Sequence, residues 1–392
     1  MKLFQNLIFL LIIFFIFTSP INAVGKPDLS DNIILDQLDE INMTELNREV
    51  EKINNRADEL IPHLNIKKVL LGFIRGDLQL NWRIIIGSGL KYLGQEVTAN
   101  IYLLGQIIIL AVISAILEVF HNSFSSETIS KTANLLIFLV LAVMILNSFQ
   151  LAVNVGIRSI DYMVSFMQAL IPVLLTLLVS MGAFTSAAIF HPLTFLIVSA
   201  LTTGIKTIIF PLIFISAILK IVDNITGEFS ISRLAALFKE TSLALLGLTL
   251  MIIVGGLLLQ GGAAAVTDSL SLRTAKYLTG TFIPVIGGIF SDAVDLIVSC
   301  SLIIKNALSI FGFIAILFIV IFPVIKLIVL VFIYKLAGAL IQPISNDRLV
   351  NIVNEIANSL MLVFLVVLTV AFMFFIVITV IVGAANLTVM MR

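Results

Sequence analysis

From Ile101 to its carboxyl end the chain is a succession of apolar runs, each close to the ~20 helical residues that span the hydrocarbon of a bilayer. No water is available there to pair backbone amides, so runs of this kind fold as helices. Eight qualify, at approximately 101–120, 134–153, 163–181, 192–217, 243–259, 282–303, 310–334 and 356–382. An all-α polytopic membrane protein with about eight transmembrane helices is therefore expected. The sixth run is interrupted by Asp292 and Asp295, and the fifth is short, with Gly255-Gly256 and Gly261-Gly262 near its end. Composition supports this: 60% of residues are hydrophobic and 12% charged, against about a quarter charged in soluble domains. The formal net charge is zero, which offers no basic surface to nucleic acid.

Residues 1–23 read as a secretory signal peptide, with Lys2, an apolar core from Leu7 to Phe17, a break at Thr18-Ser19-Pro20 and small Ala23 before the cleavage point. Residues 24–98 are then an exported region. Charges concentrate there, and Leu46, Val50, Ile53, Ala57 and Leu60 follow steps of three and four, which places them on one stripe of an amphipathic helix. The stripe is either a docking face for a partner or the inner face of a helix folded onto its own neighbours. Thr44 is the expected N-cap, and Pro62 ends or bends the helix. Trp82 to Val97, with Tyr92, Arg83 and Lys91, reads as an interfacial piece. Eight crossings put both ends outside. The positive-inside rule does not test this, because Lys131, Arg273, Lys276, Lys335 and Arg348 fall in expected inner loops while Arg158, Lys220, Arg233, Lys239 and Lys305 fall in outer ones.

The last two thirds carry a duplication. Ile171-Pro172-Val173 recurs as Ile283-Pro284-Val285, and Ile209-Phe210-Pro211 as Ile321-Phe322-Pro323, both at an interval of 112 residues (284 − 172 and 323 − 211). With a slip of three, Arg233-Leu234 and Glu240 recur as Arg348-Leu349 and Glu355. The reading divides the membrane domain into two leading helices over 99–160 and three-helix units over 161–262 and 263–392. An odd number of crossings per unit makes the repeat inverted, a pattern found in transporters. The paired prolines Pro172 and Pro284, and Pro211 and Pro323, are expected to kink their helices at matched points.

Charged side chains within a bilayer are costly and face a protein interior or a wet cavity. Lys206, Asp292, Asp295 and Lys326 are the candidates. Asp292 and Asp295 share a helical face, where they either belong to a polar pathway or pair with Lys206 or Lys326 to hold helices together. Neither aspartate has a charged counterpart in the other copy. No zinc-protease, nucleophile-elbow or phosphate-loop motif occurs, the three histidines are scattered, and Cys300 is the single cysteine. No enzyme activity, metal or cofactor is expected.

FKETSLALLGLTLMIIVGG, SLRTAKYLTGTFIPVIGGIFSDAVDLIVSC and FPVIKLIVLVFIYKLAGALIQPISNDRL, following a signal peptide and a charged exported region, resemble the stage III sporulation protein AE family of endospore-forming Firmicutes. The resemblance implies a polytopic protein of the mother-cell membrane surrounding the forespore, with its amino-terminal region in the intermembrane space. The implied partners are the other proteins of the stage III sporulation A operon and a forespore protein across that space, together building a channel or secretion-like conduit. ATP hydrolysis then falls to a separate subunit. No site residue carries over from the family. The alternative to a conducting component is a scaffold that recruits the soluble rings and the ATPase.

Overall fold

A computed structural model describes residues 41–57, 64–75, 82–123, 127–226, 231–282 and 287–390. The expected signal peptide, Leu60 and Pro284 lie outside these residues. Within them the chain is helical and has no strand. Two short helices, α1 (Thr44–Ala57) and α2 (Ile66–Arg75), precede α3 (Trp82–Ser123) and α4 (Glu127–Ser180). A continuous rod follows, made of α5 (Phe184–Ala200), a π segment (Leu201–Ile209) and α6 (Phe210–Thr226). The last three helices are α7 (Ser232–Phe282), α8 (Gly287–Ile341) and α9 (Asp347–Met390).

Six helical stretches are long and apolar enough to cross a membrane: Ile86–Leu117, Leu136–Ser180, Phe184–Asn224, Ser232–Thr274, Leu296–Ile341 and Asp347–Met390. The eight apolar runs thus lie on six rods, with the second and third sharing α4 and the sixth and seventh sharing α8. The physical reason is that Asn154 to Tyr162, though polar, contains no proline or paired glycine to turn the chain, and neither does the interval around Lys305. A polar interval on a helix keeps its backbone bonds and simply changes what one face presents. The segment from Trp82 likewise runs straight on into the first apolar stretch as part of α3. The divisions expected at 98/99, 160/161 and 262/263 fall inside α3, α4 and α7. The five longer stretches, of 41–46 residues, measure about 60–70 Å at 1.5 Å per residue. That is twice the ~30 Å hydrocarbon thickness, so each reaches past the apolar layer or crosses it at a tilt.

The turn from α4 to α5 takes only residues 181–183. Gly182 adopts φ 80°, its amide donates to the Val179 carbonyl at 2.9 Å, and the Ala183 amide donates to the Leu178 carbonyl at 3.0 Å. This is the glycine-terminated helix end known as a Schellman motif. Leu272 of α7 packs directly over the glycine, where a Cβ would approach its Cδ2 to 2.6 Å.

Helix ends recur at the spacing the sequence pattern suggests: Thr226 and Ile341 end helices, and Ser232 and Asp347 begin the next ones, at a common interval of 115 residues (341 − 226 and 347 − 232). These matched ends lie in the rod α5–π–α6 with α7, and in α8 with α9. The prolines are not equivalent in setting. Pro211 follows the π segment, where the Phe210 amide bonds five residues back to Ile205, while Pro323 and Pro172 lie inside α8 and α4. A proline removes one intrahelical bond and crowds the preceding turn, which the wider π turn relieves at Pro211.

α9 is apolar on every face and is the centre of the bundle, packed on α8, α7, α4 and α6. α3 lies at the edge. Close approach is bought at glycines: a Cβ on Gly156 of α4 would meet Phe210 at 3.0 Å and Val363 and Val367 at 3.3 Å. At the amino-terminal end, Leu46 and Val50 of α1 are buried and Ile53 is half-buried against the same core, with α1 lying on α4 and α8. The stripe, read as either a docking face or an inner face, lies against the chain's own helices at these three positions; the Ala57 side chain lies outside the described residues. The Thr44 amide donates to Asn42 Oδ1 at 3.1 Å, so Asn42 rather than Thr44 supplies the capping oxygen. Asn54 clamps the segment before α2 through two 2.8 Å bonds to the Leu64 backbone.

Candidate functional site

Lys206 projects from the π segment and forms an ion pair with Asp161 of α4. Both stand near the midpoints, residues 204 and 158, of their apolar stretches 184–224 and 136–180. Neither is sealed off, since the Lys206 side chain is 24% exposed and that of Asp161 42%. The expected partners of Lys206, Asp292 and Asp295, lie on α8, and their side chains are outside the described residues.

Lys326 of α8 donates to Glu96 Oε1 of α3 at 3.2 Å. Tyr92 Oη donates to the same oxygen at 2.8 Å, Asn100 Nδ2 donates to Glu96 Oε2 at 3.2 Å, and the Tyr92 ring meets Phe322 edge-on at 4.9 Å. Glu96 is buried. This closed cluster joins α3 to α8 and has the character of a structural lock, with each oxygen satisfied.

Two further buried groups were not anticipated. Lys305, placed by the sequence in an outer loop, is fully buried in α8. Its ammonium donates to the Val382 carbonyl at 3.1 Å and to Asn386 Oδ1 at 2.7 Å, both on α9. Asp268 of α7 is buried and accepts the Thr185 and Ser186 amides at 2.7 and 2.8 Å. These are free donors of the first turn of α5, where a carboxylate is favoured by both hydrogen bonding and the helix dipole. No group of three or more His, Cys, Asp or Glu residues suited to a metal comes together among the described residues.

The charged pair belongs to a longer feature. Asn147, Gln150, Asn154 and Arg158 are exposed on α4 at steps of three and four, and the same line continues through partly exposed Asp161 and Ser165. It ends through exposed Gln168, Pro172, Thr176 and Ser180. On the opposite face Ile145, Phe149, Ile160, Met163, Met167 and Leu174 are completely buried. α4 is thus amphipathic over this length, with a largely polar face, interrupted by exposed Leu151 and Pro172, turned away from the bundle core. From Gln168 to Ser180 the line borders a cleft of about 700 Å³ shared with Asn42, Glu45 and Leu46 of the amino-terminal region. Sequence windows concealed the stripe by assigning its middle to a loop. The legible signal was the 3.6-residue spacing of polar residues through two adjoining apolar runs.

A family model described as stage III sporulation protein AE matches residues 64–385. Stage III sporulation protein AE of Bacillus subtilis (strain 168) is 41% identical over 326 residues, covering 83% of this chain and 82% of the relative. No solved structure matches.

Proposed function

Because the chain belongs to the stage III sporulation protein AE family, we propose that it is the integral membrane component of a conduit from mother cell to forespore and forms the pore of that conduit in the outer forespore membrane. Its exported amino-terminal region faces the intermembrane space. There it meets the other proteins of the stage III sporulation A operon and the forespore partner, while a separate subunit hydrolyses ATP. The observation that favours a pore over a non-conducting scaffold is the Lys206–Asp161 pair. A carboxylate used only to hold helices is best enclosed, as Glu96 is at 10% exposure beside Lys326 whereas Asp161 is 42% exposed, because exposure to lipid costs several kilocalories per charge. A pair left partly open at mid-height requires polar surroundings on its open side.

Asp161→Asn and Lys206→Gln test this, with complex assembly and late forespore gene expression followed separately. The expected outcome is a complex that still co-purifies but supports little expression. Normal expression, or a loss explained entirely by failed assembly, would reduce the pair to a structural one and favour the scaffold.

A further inference from the structure

We infer that the polar face of α4 is the wall of a transmembrane water path, completed by the same face of further copies of this chain around a common axis. The inference rests on the conduit reading and specifies where the water lies. From Asn147 to Ser180 the stripe advances by 33 residue steps (180 − 147), or about 50 Å at 1.5 Å per residue. The hydrocarbon is only ~30 Å thick. A stripe of this length with the Lys206–Asp161 pair near its middle crosses the full apolar layer.

Lipid is the wrong neighbour for such a face. Exposed amides and the Arg158 guanidinium, which makes no ion pair among the described residues, lose their hydrogen bonds to water without gaining protein partners. α7 supplies the contrast within the same chain, because its outward residues Leu248, Met251, Ile252, Leu258 and Leu259 are exposed and apolar, with the amide of Gln260 beside them. That surface suits acyl chains.

Beyond the cleft that α1 forms along Gln168 to Ser180, one chain cannot enclose water along this stripe, because from Asn147 to Ser165 the stripe lies on its outside. A second wall of the same length and polarity is required, and cyclic association of identical subunits presents one such stripe per copy to a central axis. Charge at mid-height also follows: Arg158 and Lys206 outweigh Asp161, leaving each copy with one excess positive charge at the level of the pair. Such a path favours anionic solutes over cations. Its Ser180 end borders the cleft at α1, which places the amino-terminal region beside that mouth.

The test is thiol accessibility in isolated membranes containing the full-length chain with Cys300→Ala, carrying single replacements Asn154→Cys, Gln168→Cys, Met251→Cys or Leu259→Cys. All four positions are exposed, so the core is untouched, and thiolate forms readily only where water reaches the sulfur. A membrane-impermeant sulfonated methanethiosulfonate is expected to label the cysteines at 154 and 168 but not those at 251 and 259, and faster than its trimethylammonium counterpart. Mild oxidation is expected to link two differently tagged copies through position 154. Unlabelled 154 and 168 overturn the water path, faster labelling by the cationic reagent overturns the anion preference, and absence of cross-linked copies overturns the shared wall. A labelled stripe with normal forespore expression in Asp161→Asn would sink the conduit reading alone, while an unlabelled stripe with expression lost would sink this inference alone.

Discussion

Lys305 and Asn386 illustrate how little a buried charge says about stability until its partners are counted. The lysine is enclosed and held by one carbonyl and one amide oxygen, with no carboxylate. Replacing a desolvated ion by an apolar side chain of similar length removes a cost, whereas removing its partner leaves the ion unsatisfied. Lys305→Met is therefore expected to leave thermal stability in detergent unchanged or raised. Asn386→Leu should lower it by about 1–3 kcal/mol. The reverse order would contradict the assignment of Asn386 as the lysine's support. The same geometry gives Asn386-Leu387-Thr388, which matches a glycosylation pattern, an internal role, since Thr388 is fully buried. None of these residues was legible beforehand. Hydropathy averages over a window, while the fate of a single lysine depends on what a helix some 80 positions away puts beside it. Lys206 and Lys326 were recognised as needing partners, but Asp161 and Glu96 had been assigned to polar intervals and so were invisible as those partners.

At the scale of elements, existence was readable and length was not. Apolar runs identified every long helix, and the stripe of Leu46, Val50 and Ile53 identified α1. Continuity across Asn154 to Tyr162 and across Lys305 was missed because a polar interval satisfies the same average whether it turns or continues. The turn that does occur between α4 and α5 depends on Gly182, whose positive φ and close contact with Leu272 both exclude a side chain. Gly182→Ala is expected to cost about 1–3 kcal/mol in thermal unfolding. An unchanged transition would mean that Leu272 and the backbone relax freely there. The equal spacing of the breaks at Thr226/Ser232 and Ile341/Asp347 was present in the sequence as its slip of three residues.

For the whole molecule, six single crossings place the α3–α4, α6–α7 and α8–α9 connections on one side and the α4–α5 and α7–α8 connections on the other. Cysteines at Ser125, Ser230 and Ser345 should then label from the same side in a Cys300→Ala background, and a cysteine at Thr185 from the opposite side. Labelling of Ser125 and Ser345 from opposite sides would contradict this layout. Family membership spans most of this membrane domain, so one architecture must serve both the bundle core around α9 and the polar face of α4. The core explains stability, and the polar face has no task in a protein surrounded only by lipid. The most direct measurement is therefore forespore development in a strain carrying Asn154→Leu together with Gln168→Leu, which removes an amide from that face on either side of Asp161 while sparing the buried core. The account predicts a stable protein that still joins its partners but no longer supports development. Normal development in that strain would contradict it.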